Sequence, residues 1–147
     1  MITYHTKEGK FKVRYYENIP LDKLDRLNGP AVKYKDGTKE WWQNGNLHRL
    51  DGPAVEWNDG RKEWWVKGKR HRVDGPAIIW HNGTKEWYIN GKLHRLDGPA
   101  VEWINGERKY WINGKIIETL EVETWIKENN INLKTKQHQV LFMVKFG

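Results

Sequence analysis

The sequence predicts an all-β chain, an elongated antiparallel meander of repeated β-hairpins, with a C-terminal capping α-helix and strand. Three observations predict this. Four segments, 24–46, 47–69, 70–92 and 93–115, align without gaps at a period of 23 residues. Each carries two Gly-centred reversals, Asp-Gly or Asn-Gly at 36–37, 59–60, 82–83 and 105–106, and Asn-Gly or Lys-Gly at 44–45, 67–68, 90–91 and 113–114. Between the reversals lie short runs rich in Trp, Val and Ile, the residues that fit a pleated, half-buried surface. A fixed period is the signature of an array in which each unit packs on its neighbours.

In chain order, the arm 1–23 comes first. Ile2–Thr6 and 11–16 flank Lys7-Glu8-Gly9-Lys10, and Phe11, Val13 and Tyr15 alternate, so this arm reads as a hairpin cap. Each repeat then carries Gly-Pro-Ala, at Gly29, Gly52, Gly75 and Gly98. Pro cannot donate to a ladder and belongs at a strand start or edge. The first Asp-Gly or Asn-Gly reads as a type I′ hairpin turn, which needs positive φ at both central residues, and the second as a further tight reversal. One hairpin per repeat is the expected unit. Its register stays open. A two-residue loop pairs Trp57 with Lys62 and places Trp64 on the Trp57 face; a three-residue loop with a bulge sets Glu56 opposite Lys62 and places Trp65 there. In 116–147, Thr119 precedes Leu120, Val122, Trp125 and Ile126, a capped amphipathic helix ending near Asn129-Asn130 that lays its apolar residues on the sheet. The stretch 139–146 alternates weakly and reads as a closing strand.

Composition narrows the function. The chain has 147 residues, no Cys and no Ser, so disulfides, thiolate metal sites and Cys or Ser nucleophiles are excluded. No apolar run approaches the ~18 residues of a membrane span. No basic-then-apolar leader opens the sequence, so secretion is not expected and a cytoplasmic location is. Ten Trp, six Tyr and three Phe argue against disorder. The aromatics form columns (Tyr34, Trp57, Trp80, Trp103; Trp41, Trp64, Trp87, Tyr110; Trp42, Trp65, Tyr88, Trp111) whose first expected role is core packing.

Polar columns run beside them. His48, His71 and His94 are each followed by Arg49, Arg72 or Arg95, and then by Asp51, Asp74 or Asp97. Equivalent positions in successive hairpins lie about 9–10 Å apart, two strand spacings, too far for shared zinc ligation. No metal or cofactor is expected. Repetition argues against an active site, which needs one asymmetric constellation, so the chain is not expected to be an enzyme. The bland reading of Arg-x-Asp-Gly is a turn in which Arg pairs with Asp or with a nearby Glu. The functional reading is an anion site, since Arg forks suit phosphate and Trp faces suit base stacking. The net charge is +7, with +5 on 24–115. Lys39-Glu40, Lys62-Glu63 and Lys85-Glu86 alternate in sign, a pattern read as a solvated face.

The stretch 88–95, Tyr-Ile-Asn-Gly-Lys-Leu-His-Arg, resembles the core of MORN repeats, which run roughly Trp-x-Asn-Gly-Lys-x-His-Gly at the same period; it recurs at 65–72 and 42–49. Arg49, Arg72 and Arg95 stand in place of the usual Gly, and Asp-Gly-Pro-Ala is added. The repeats are therefore similar to the variant class of YwqK-like antitoxins and of bacteriophage and giant-virus repeat proteins. That resemblance implies an all-β hairpin array, a non-enzymatic role, and the protein-scaffolding and membrane-contact associations of MORN proteins.

The resulting expectation is a non-catalytic binding protein, of phage or viral type by the resemblance. It would hold a nucleotide, oligonucleotide or host signalling nucleotide on Arg49, Arg72, Arg95, His48, His71, His94, Trp64 and Trp87. The alternative is a protein-interaction scaffold or antitoxin-like partner, docking a protein or a second copy through a sheet face, a sheet edge or the Trp125 helix.

Overall fold

A computed structural model describes residues 1–13 and 18–147. The last part of the predicted strand 11–16 therefore lies outside the described residues. The chain forms two compact units, Met1–His71 and Arg72–Gly147, dividing near the start of the third repeat.

In the first unit an antiparallel sheet runs in the order Gly9–Val13, Ile2–Thr6, Val32–Lys33, Lys39–Glu40, Val55–Glu56, Lys62–Glu63. In the second unit the order is Ile78–Ile79, Lys85–Glu86, Val101–Glu102, Arg108–Ile112 and Lys115–Ile117. The predicted meander is present, with a correction to its unit. Each of the first three repeats makes two hairpins, not one. Beside the main sheet, Trp42–Gln43 pairs Asn46–Leu47, Trp65–Val66 pairs Lys69–Arg70, and Tyr88–Ile89 pairs Lys92–Leu93. Within the first unit these side hairpins are tied in series, since Arg49 N–H bonds the Trp65 carbonyl and Gly68 N–H the Leu47 carbonyl (3.1 and 3.0 Å).

The two reversals differ in kind. At 44–45, 67–68, 90–91 and 113–114 both residues have positive φ (Asn44 48°, Lys67 50°, Asn90 51°, Asn113 52°), the two-residue type I′ turn. At the other reversal only the Gly does (Gly60 91°). Trp57 N–H bonds the Arg61 carbonyl and Gly60 N–H the Trp57 carbonyl, so the loop holds three residues, 58–60, and a Gly bulge. The Asp59 carboxylate closes it by accepting Arg61 N–H at 2.8 Å. The open register is thereby decided: Glu56 faces Lys62 and Val55 faces Glu63. The type I′ expectation was attached to the wrong Gly.

The deepest core is not Trp. Ala31, Ala54, Ala77 and Ala100 are fully buried, and Val32, Val55, Ile78 and Val101 nearly so. Ala54 donates to the Glu63 carbonyl and accepts from Trp41 N–H, bonding to two strands at once. The repeat Trp side chains are half-buried, with Trp103 the most exposed at 38%.

The C-terminal segment holds two helices, α1 (Thr119–Glu128) and α2 (Lys136–Phe146). α1 ends as expected, but Thr119 is its first helical residue rather than its cap, and its hydroxyl donates to the Arg108 carbonyl. The predicted strand 139–146 is α2. A short apolar run fits both periods. Here Thr135 caps the helix, accepting His138 N–H, and Phe142 and Phe146 fall four residues apart on the buried side. With Tyr110, Ile112, Ile117, Val122 and Leu133 they form one core against the last strands. Trp125 stacks on Phe142 (6.2 Å) and meets Phe146 edge-on (5.4 Å), so it turns inward. No helix among the described residues is long and apolar enough to cross a membrane.

Candidate functional site

The Arg column is a set of clamps. Arg49 Nε donates to Asp51 Oδ1 at 2.9 Å, and Nη1 donates to the Pro53 carbonyl and to Glu56 Oε1, both at 3.2 Å. Its guanidinium lies 4.1 Å from the centre of the Trp41 ring. Gly52 backs the other side: a Cβ there would stand 2.8 Å from Arg49 Cζ, so any side chain would push the guanidinium off this position. Arg95 repeats the arrangement with Asp97, the Pro99 carbonyl and Glu102 (2.6, 3.0 and 2.6 Å) over Trp87 at 3.8 Å. Arg72 holds Asp74 at 2.8 Å and the Pro76 carbonyl at 3.4 Å. These contacts hold the Asp51 and Asp74 carboxyls below the ordinary range, through the Arg hydrogen bond first and its charge second. Burial alone would raise Asp97, but Arg95 and Lys134 bring it below. The three Arg singled out from sequence therefore serve the turn, as the bland reading had it.

Two members of the His column bond the backbone of the next tight turn. His48 Nδ1 accepts Lys67 N–H, and His94 Nδ1 accepts Asn113 N–H, each at 3.1 Å and each at a positive-φ residue of the next tight turn. An accepting Nδ1 is unprotonated, and burial holds His94 below its ordinary value. His71 donates its backbone N–H to the Trp64 carbonyl, and both side chains are half-buried. Trp87 forms the floor under Arg95.

A feature missed in the sequence is a buried carboxylate column. The Lys-Glu pairs read as a solvated face contain Glu40 and Glu63, only 9% and 4% exposed. The indoles of Trp57 and Trp65 donate to the two oxygens of Glu63 (3.2 and 3.1 Å), with Arg61 and Arg70 at 3.5 and 3.4 Å. Glu40 takes Tyr34 and Trp42, and Glu86 takes Trp80 and Tyr88. Two aromatic columns at 23-residue spacing were the available signal: Trp42, Trp65 and Tyr88 bond the Glu two residues before them, and Tyr34, Trp57 and Trp80 the Glu six residues after. In the fourth repeat Lys109 stands at the Glu position, and Trp103 is left the most exposed Trp.

Charge is uneven. The first unit carries 15 Lys and Arg against 10 Asp and Glu, the second 11 against 9. Cross-strand register puts Lys12, Thr3, Lys33, Lys39, Glu56 and Lys62 in one row on the outward face of the first unit. The single carboxylate in that row, Glu56, is already bound by Arg49 (3.2 Å) and Lys39 (3.5 Å). Beside the row, an open pocket of about 800 Å³ is lined by His5, Lys7, Lys10, Asp25, Arg26 and Asn44, among others. Burial first, then the charges of Arg26, Lys10 and Lys33, lower the His5 pKa. Among the described residues no three His, Asp or Glu side chains converge in a way that could hold a metal ion.

No family model, curated protein or solved structure matches the chain.

Proposed function

We propose that this chain is a non-catalytic repeat-array binding protein for a phosphorylated ligand, most simply a single-stranded oligonucleotide, held on the lysine row of the first unit. The observation that carries this reading is the row itself: four Lys in cross-strand register with one carboxylate, Glu56, which is held by one of them, Lys39, and by Arg49. The ligand surface thus moves from the Arg49, Arg72 and Arg95 column, whose donors are engaged, to the neighbouring lysines.

Neighbouring strands are about 4.8 Å apart and Lys39 is held on Glu56, so Lys12, Lys33 and Lys62 are the three cations that can each reach a phosphate of a strand laid across the sheet. Titration of a labelled oligothymidylate tests this. Three phosphate contacts on a single strand give a log–log salt slope near −2.1, hence about 20-fold weaker binding from about 50 mM to about 200 mM salt. Lys33→Gln should reduce the slope by about 0.7. Absence of binding at both salts, or binding that salt does not weaken, refutes the reading.

A second reading, a protein-binding surface, is favoured by α2. Its Val140 and Val144 are 61% and 81% exposed on one helix face. Light scattering of the chain and of Val144→Asp checks self-association; a monomer in both removes a second copy as the occupant.

A further inference from the structure

We propose that the first repeat carries a terminal-phosphate site, with Arg26 as its anchor and Lys10 and Lys33 completing the charge; this rests on the ligand reading above.

The other repeats show the ordinary partners of the same Arg. In the second and fourth repeats the clamp Arg meets two carboxylates, Asp51 and Glu56 for Arg49, Asp97 and Glu102 for Arg95. In the first repeat the corresponding positions are Asn28 and Lys33. One carboxylate has become neutral and the other has been replaced by a cation. Among the described residues no carboxylate lies within ion-pair distance of Arg26.

Yet Arg26 keeps the clamp pose. Its Nη1 donates to the Pro30 carbonyl at 3.0 Å, matching the Arg49 bond to Pro53 and the Arg95 bond to Pro99. A Cβ at Gly29 would stand 3.3 Å from its Cζ, so the guanidinium rests on the Gly backbone as elsewhere. A guanidinium only donates, so the 3.1 Å contact from Nη1 to His5 Nε2 makes His5 the neutral acceptor that positions it. The planar fork is therefore held in place, half-buried, with its Nε edge facing no protein anion.

The remaining charges favour the same ligand. Lys10 lies across the strand pair from His5, and Lys33 belongs to the next strand. The nearby Asp25 is already paired with Lys7, at 3.6 Å, leaving Glu8 as the other acid lining the pocket. An oxyanion that replaces two carboxylates, and draws two lysines as well, carries more than one charge. A phosphomonoester fits that description better than an internal phosphodiester. The chain would then bind its oligonucleotide by one end, with the terminal phosphate on Arg26 and the strand running along the lysine row.

The test compares oligothymidylates, labelled on an internal base, with a 5′-phosphate, a 3′-phosphate or free hydroxyl ends. A terminal phosphate at one end should tighten binding about 10-fold, the worth of one charge-assisted fork. Asn28→Asp with Lys33→Glu rebuilds the acidic pair of the second repeat and should preserve or raise thermal stability. That double variant, and Arg26→Gln, should each erase the preference for the phosphorylated end. Equal affinity for all three probes, or a preference that survives both variants, overturns the site. Failure of every probe to bind strikes the ligand reading itself and is thereby distinct.

Discussion

Replacing Glu63 by Gln removes a charge while keeping size and shape, and the structure says what that does. The Trp57 and Trp65 indoles donate to different oxygens of Glu63, Oε1 and Oε2. Indole only donates. A Gln amide presents one oxygen and one NH₂, so one indole N–H must face another donor in a site 4% exposed. An unsatisfied buried donor costs about 1–3 kcal/mol, and Arg61 and Arg70, being partly exposed, lose only a screened share of their attraction. The expected cost of Glu63→Gln is about 2 kcal/mol. Glu63→Ala strands both indoles and opens a cavity, for about 3–4 kcal/mol.

Glu40 supplies the internal control. Its partners are Trp42 and the Tyr34 hydroxyl, and Thr38 and Leu47 stand where Glu63 has Arg61 and Arg70. A hydroxyl can rotate and accept, so the amide introduced by Glu40→Gln keeps both bonds. Burial also raises the Glu40 pKa, meaning that its charge is a cost in the folded chain. The folded state holds the proton to higher pH than the unfolded one, so this cost is relieved as pH falls toward the ordinary carboxylate range and grows as pH rises above it. Glu40→Gln should therefore be neutral within about 0.5 kcal/mol, or stabilising at neutral pH, and should lose that advantage in acid. Urea unfolding of both variants at neutral and mildly acid pH measures the contrast. Equal costs at the two positions would refute the bonding argument, because it rests on the difference between a Tyr and a Trp partner.

Four further outcomes follow from single contacts. Lys67 has φ 50° where the other repeats place Asn, so Lys67→Asn should stabilise by about 0.5–1 kcal/mol in a urea midpoint. Gly52→Ala drives a methyl to 2.8 Å from Arg49 Cζ and should destabilise by about 1–3 kcal/mol, with loss of Trp fluorescence perturbation by Arg49 as its local reporter. Because burial lowers the His94 pKa, the unfolded chain takes up the proton first; the stability its neutral ring contributes is full above 6.5 and lost as pH falls below it, and His94→Asn should flatten that part of the pH dependence of unfolding. Phe142 is fully buried among Tyr110, Trp125 and Phe146, so Phe142→Ala should cost about 3–5 kcal/mol and lower the thermal midpoint accordingly.

The period of 23 made the array legible, because hydrophobic spacing and Gly-centred turns are local signals. Less legible was how two turns of different length divide the labour. Asp59-Gly60 and Lys67-Gly68 look alike as dipeptides, yet in the first pair the Asp accepts a backbone N–H two residues on and stays at negative φ, while in the second both residues turn left-handed. The carboxylate column was hidden for a related reason. Glu63 sits in a Lys-Glu pair that a charge pattern assigns to solvent, and only the three-residue loop brings Trp57 and Trp65 to one face around it. Register, not composition, decides whether that Glu is a surface charge or a buried acceptor. The same logic governs the candidate site. The Arg column repeats, so repetition drew attention to Arg49, Arg72 and Arg95, but a charge that recurs with its partner is satisfied by that partner. What distinguishes the first repeat is where the pattern breaks: Asn28 for Asp and Lys33 for Glu, with Gly29, Pro30 and Arg26 all retained. In a repeat protein the structural residues are the ones that recur together, and a binding residue is best sought where one member of a recurring pair persists without the other.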